Sequence, residues 1–414
     1  MRKSGRCLFL VRMLSLVVCF QFVVCAAATL EEIEARASAL KAAGNAAGAL
    51  AAYQEAATLD PKSPRYQDEI GFLLRVLNRG PEAMEYFHRA LELNSQFAPA
   101  HFHLGVALWL DQDTAGALSE LQAAANLDPE NGAYQSKLGQ ALEASGEHQD
   151  ALPHLKTAIR LQPGDALAWS NLGGALEKSG DAMAAVDAYR HAVELSPANL
   201  DARNSLGLML VKTHHADDGI AEFQKVLAAD PENNTARFNI GFAHLLKAEL
   251  DKAIPEFRDL IARVPDHAAA HYNLGVALKN KDDIEGARAE FSRALQIDPK
   301  MAEAHYMIGI TCWQSGDFDS AAQEMKAAIA LRADYGEAYF MLGTVLKQKG
   351  EAAPAEEALR TAIRLDPANP GPYNTLALLL RQKGDIEGSK RLFAEGARAK
   401  QALEKELGVM LGRQ

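Results

Sequence analysis

Twelve histidines, four cysteines and 54 carboxylates give this 414-residue chain the side chains for metal binding or acid–base work, but their spacing does not assemble either. Cys7, Cys19 and Cys25 fall within the first 28 residues, and only Cys312 follows, so residues 29–414 hold no pair for a disulfide and no cysteine cage. Cys312 falls in an apolar stretch and is expected to be a buried, inert thiol. His101 and His103 are two residues apart on a helical stretch and point to different faces. His214 and His215 adjoin Asp217 and Asp218 in a turn, where a solvated loop is the expected role. There is no phosphate-binding glycine loop and no nucleophile elbow. The expectation is a non-enzymatic chain without cofactor or metal.

What the histidines do show is a period. His271 and His305 stand 34 residues apart, and His101 shares their register five periods earlier. Numbered from Leu30 as position one, eleven 34-residue units fit without insertion or deletion. Position eight is Gly71, Gly105, Gly139, Gly173, Gly207, Gly241, Gly275, Gly309 and Gly343, with Ala37 and Ala377 in the outer units. Position twenty is small throughout, from Ala49 to Ser389, and position twenty-four is large and apolar throughout, from Tyr53 to Phe393. Most units end near a proline, such as Pro129, Pro163 or Pro299, which disfavours helix in the residue before it. Apolar residues at helical spacing precede a mid-unit turn that carries Gly44, Gly146, Gly180, Gly316, Gly350 or Gly384, or else Asn78, His214 or Asp282. Each unit therefore predicts two antiparallel helices, with position eight of the first close to position twenty of the second.

The unit at 166–199, "ALAWSNLGGALEKSGDAMAAVDAYRHAVELSPAN", resembles the tetratricopeptide repeat (TPR) through Trp169, Leu172, Gly173, Leu176, Ala185, Tyr189, Ala192 and Pro197. The resemblance covers residues 30 to about 403. It implies an all-α fold, a right-handed superhelical α-solenoid of stacked antiparallel helix hairpins, whose concave face is lined mainly by first helices. The expected organisation is a signal peptide at 1–28, a degenerate capping repeat at 29–63, nine repeats over 64–369, a degenerate eleventh at 370–403, and a helical extension and tail at 404–414. Leu403, Leu407 and Met410 are expected to cover the end of the core.

Residues 1–28 place Arg2, Lys3 and Arg6 before an apolar run that ends in Ala26, Ala27 and Ala28, the pattern of a secretory signal. Export to a periplasm or the extracellular space is expected, or membrane anchoring where the segment is retained; cleavage leaves no span. The whole chain carries −11, and loss of four basic residues with the signal leaves 39 basic against 54 acidic residues, or −15. Nucleic acid is not an expected partner of such a surface.

Positions five, nine and twelve of each first helix lie on one stripe. In TPR proteins that stripe faces the groove. Here it offers Phe238, Phe242, Tyr272, Lys279, Tyr306, Trp313, Phe340, Lys347 and Arg381, and in earlier units Phe72, Arg75, Phe102 and Trp109. Aromatics with interspersed cations suit a peptide, offering apolar area and hydrogen-bond donors together. No unit has lysine at position five, so the family's acidic-tail clamp is not expected, and Ser205 interrupts an asparagine series at Asn171, Asn239 and Asn273. The expected function is a non-catalytic scaffold that binds an extended peptide or protein segment, in envelope, secretion or pilus assembly. The alternatives are a self-assembling structural element, or a targeting subunit whose partner supplies the chemistry.

Overall fold

The computed structural model describes residues 29–411, with side chains to Lys405. The signal segment lies outside what is described, as do the side chains of Leu407 and Met410. Among the described residues there are 22 helices, and they form eleven hairpins in the 34-residue register. None of these helices is long and apolar enough to cross a membrane.

The chain divides into two compact units, one ending at Ala198 and the other beginning at Asn199. The first holds five hairpins, α1 (Leu30–Ala42) with α2 (Ala46–Leu59) through α9 (Ala166–Lys178) with α10 (Ala182–Leu195). The second holds six, α11 (Leu200–Lys212) with α12 (Ala216–Ala229) through α21 (Pro370–Gln382) with α22 (Ile386–Leu411). Within each unit the two helices of a hairpin pack on one another, the second helix packs on the next first helix, and most successive first helices touch.

Local chemistry explains the hairpins. Thr29 and Glu32 form a capping box that starts α1. Asp113, Asp181, Asp283 and Asp317 cap second helices, while Asn131, Asp165, Asn233 and Asn369 cap first helices. Position fifteen takes a positive φ in every repeat: glycine in six, and Asn78, Gln112, His214, Ala248 and Asp282 in the rest. The sequence pattern did not single out Gln112 or Ala248, because neither residue type is a customary terminator there.

The core is built from positions twenty and twenty-four, as expected, and the position-eight glycine lies against both. A Cβ on Gly173 would lie 2.7 Å from Tyr189 Cδ1, and one on Gly275 would lie 2.6 Å from Phe291 Cε1. The position-twenty-four side chain is therefore the first obstacle to a larger residue, with the position-twenty carbonyl next to it, 3.1 Å from a Cβ on Gly71 or Gly275. Tyr53, Phe87, Phe223, Phe257 and Phe291 are buried at that position, whereas Phe393 in the last repeat is 37% exposed. α22 does extend to Leu411. Leu403, expected to cover the core end, is 37% exposed.

Candidate functional site: the first-helix face

The histidines of position four serve the hairpins. His101 Nδ1 lies 2.6 Å from Glu120 Oε2, and His271 and His305 stand at the same distance from Glu290 and Glu324. The Nε2 atoms of His101 and His271 meet the carbonyls of Ser95 and Pro265, each at 3.0 Å. Trp169 Nε1 and Arg237 Nη2 donate to the equivalent proline carbonyls at 3.0 and 2.9 Å. Position four is therefore a polar latch between a first helix, the preceding loop and a glutamate at position twenty-three. Cys312 is buried, and that burial pushes its thiol pKa up, away from the thiolate that reacts. His214 takes the left-handed turn at φ 65°, and Asp217 pairs with Lys247.

Positions five and twelve lie between successive first helices. In the second unit Phe238 stacks on His267 of the following connection, with centroids 5.3 Å apart, and runs parallel to Phe242 at 6.4 Å. Tyr272 packs on Phe291 at 5.7 Å, and Tyr306 on Tyr335 at 5.1 Å. Phe340 fills the space beside Gly371, where a Cβ would come within 2.9 Å of its Cζ. Trp313 Nε1 donates to Gln348 Oε1 of the next first helix at 2.9 Å. All six aromatics pack against the core on one side and stay half-buried. Burial raises the pKa of the Tyr272 and Tyr306 hydroxyls, with nearby acids adding to the shift, so both remain donors at neutral pH.

Lys279 and Lys347 are half-buried beside these rings and Arg381 is exposed. Among the described residues none of the three makes an ion pair. The acids nearest in register are taken: Asp251 by Lys281, Asp319 by Lys349 and Glu356 by Lys383.

The first unit brings its candidates together differently. Arg75 is not a free donor, because its Nη2 lies 2.8 Å from Asp111 and also reaches the Ala107 carbonyl at 3.4 Å. Phe72 lies 5.2 Å from the His103 ring and under Lys41, whose Nζ is 4.5 Å from its centroid. Phe102 packs on Tyr134 at 4.8 Å, and Trp109 is half-buried in the same layer. Asp68, at position five, is buried and meets His103 Nδ1 at 2.8 Å.

Sequence reasoning missed Tyr335 and its neighbours, since it followed only positions five, nine and twelve. Arg332 lies 3.4 Å above the Tyr335 ring and 2.7 Å from Glu303, and burial raises the Tyr335 pKa. The available signal was a tyrosine at position thirty-four, where Asn131, Asp165, Asn233 and Asn369 act as caps.

Stacked hairpins with an aromatic and cationic first-helix face define a helical-repeat, protein-binding class of architecture. The tetratricopeptide repeat model matches residues 70–132, 136–199, 204–256, 247–302 and 306–370, and the chain belongs to that family. No curated protein matches the sequence. Among solved structures, a tetratricopeptide repeat protein from Parabacteroides merdae ATCC 43184 is similar at 17% identity, over 60% of this chain and 98% of that one, with a TM-score of 0.52. Yeast Tom70 is similar at 16% identity over 92% and 94% of the two chains, with a TM-score of 0.49. YrrB, a TPR protein with an unusual peptide-binding site, is similar at 22% identity over 44% of this chain and 95% of its own, with a TM-score of 0.41. At these identities the likeness concerns the fold.

Proposed function

We propose that this protein is a non-catalytic scaffold that holds an extended peptide or protein segment on the first-helix face of its second unit. The observation that carries the reading is the row of half-buried aromatics, Phe238, Tyr272, Tyr306 and Phe340, beside the unpaired Lys279 and Lys347. Rings held rigid by packing on one side and open on the other give contact area at small entropic cost. The basic, apolar, small-residue order of residues 1–28 supports export, and with it a role in envelope, secretion or pilus assembly.

Capture of partners from native envelope extract tests this reading. Wild type is compared with a Tyr272→Ala, Tyr306→Ala, Trp313→Ala variant, both first shown to be folded by circular dichroism. A partner bound by wild type and lost from the variant is the expected result. The same partner held equally by both moves the site off this face.

A second reading, self-association through the last repeat, is favoured by Phe393, Leu378, Ile386 and Leu403, which expose apolar surface at one end. Light scattering across protein concentration decides it, since growth in mass that Phe393→Ser abolishes would identify that end as the contact.

A further inference from the structure

We propose that the segment held on this face is acidic, with carboxylates at Lys279, Lys347 and Arg381 and an apolar side chain at Trp313. The inference rests on the groove reading above and specifies its ligand. These four residues occupy position twelve of the eighth to eleventh repeats, so they form one row at intervals of a single repeat. Neighbouring helices pack at about 8–10 Å, and extended backbone advances ~3.3 Å per residue, so one repeat corresponds to about three ligand residues. The row therefore reads cation, indole, cation, cation against ligand positions spaced about three apart.

Charge complementarity selects an acid. Among the described residues the cations have no ion-pair partner, and the neighbouring position-fourteen residues cannot supply one. Lys281, Lys349 and Lys383 stand there, already engaged with Asp251, Asp319 and Glu356. Lys279 has only Ser315 at the corresponding place in the next repeat, and Lys347 has Lys383. The Tyr272 and Tyr306 hydroxyls, kept protonated by burial, add donors and no negative charge. A carboxylate on this row gains ion pairs without breaking any. Along the position-twelve row itself a cation would meet like charge at Lys279, Lys347 and Arg381, whereas the acids Glu303 and Glu337 act on the tyrosine hydroxyls. Long-range repulsion from the acidic remainder of the chain is screened beyond about 8 Å at physiological ionic strength, so the contact row sets the preference.

The test uses the purified protein and three fluorescein-labelled ten-residue probes. The first has Glu at its first, seventh and tenth residues, Phe at its fourth, and Gly or Ser elsewhere. The second replaces each Glu with Gln, and the third with Lys. By anisotropy the Glu probe is expected to bind at least about tenfold more tightly than the Gln probe, with the gap closing as salt rises, and the Lys probe is expected not to bind. Lys279→Glu with Lys347→Glu should reverse the order of probes, and the milder Lys279→Gln with Lys347→Gln should narrow the gap between Glu and Gln probes to what Arg381 alone supports, with folding of each variant checked by circular dichroism. Equal binding of Glu and Gln probes to wild type overturns the acidic assignment. If that equal binding is then lost on Trp313→Ala, the groove reading stands on its own. Binding of neither probe also overturns the acidic assignment, and the capture experiment then judges the groove separately.

Discussion

The two units share one repeat and differ in what their first-helix faces do with charge. In the first unit Arg75 is paired with Asp111, Lys41 lies over Phe72 and pairs with Glu69, and Asp68 is buried against His103. In the second unit, position twelve supplies Lys279, Lys347 and Arg381, which make no ion pair among the described residues. The cause lies two positions further along the helix. Position fourteen is Asp111 where it receives Arg75, but it is Lys247, Lys281, Lys349 and Lys383 in most of the second unit. Each of those lysines reaches back to an acid of the preceding repeat, namely Asp217, Asp251, Asp319 or Glu356. One substitution pattern thus stitches the repeats along an edge and leaves the neighbouring row cationic. Position alone does not make a binding residue; what the next repeat presents decides whether its charge is available.

If the first unit's face is a packed interior surface, its charges should matter most for stability. Asp68→Ala removes the acceptor for His103 from a site that is 3% exposed, and should cost about 1.5–3 kcal/mol in urea denaturation. A cost under about 0.5 kcal/mol, the usual size of a surface change, would show that this face is no more committed to packing than that of the second unit.

The turns provide a control in which the units should behave alike. Gln112 in the first unit and Ala248 in the second both hold left-handed backbone, at φ 66° and 56°. A Cβ in that conformation costs roughly 1–2 kcal/mol, partly offset on replacement by glycine's greater freedom when unfolded. Gln112→Gly and Ala248→Gly should each stabilise by about 0.5–1 kcal/mol, read as a higher urea midpoint. Unequal gains would mean that the units differ in backbone as well as in surface charge.

The hairpin architecture was legible because few residue types satisfy its demands. Position eight has no room for a Cβ beside the position-twenty-four ring, so glycine recurs and the period stands out. Position fifteen needs φ > 0, which six glycines signal and Ala248 hides. The face was legible as a list of rings and cations but not as a set of partnerships. Arg75 and Lys279 look equivalent in the stripe, and only the contact with Asp111, 36 residues away, separates them. Tyr335 was missed for a related reason, since it enters the layer from a connection rather than from a first helix. At Leu403, which is 37% exposed, apolar spacing says which side chains share a helix face and not how fully that face is covered.

The same contrast predicts a smaller difference between matched substitutions. Arg75→Ala gives up a partly exposed ion pair and should lower stability by up to about 1 kcal/mol. Lys279→Ala breaks no pair and should stay within about 0.5 kcal/mol of wild type while weakening the Glu probe. Equal losses would place both residues in the fold and remove the basis for calling one of them available.

Acid should expose the stitched edge with the smallest effect of the series. Hydrogen bonds from Lys247 first, then Lys252 and His244, hold the Glu249 carboxylate at about 2, against about 4.3 for a free glutamate. A folded pKa depressed in this way contributes stability that is present above the unfolded value and is lost as pH falls through the folded one. Urea midpoints for wild type and Glu249→Gln should therefore differ at neutral pH and converge as pH drops from about 4.3 towards 2. In the first unit, Glu82 is lowered by a single neighbour, Arg79, three residues away on the same chain segment. Its replacement should leave the acid profile closer to wild type, because one partner holds its carboxylate where three hold that of Glu249. If Glu82→Gln and Glu249→Gln shift the profile equally, the cluster of His244, Lys247 and Lys252 around Glu249 adds nothing beyond a single local pair.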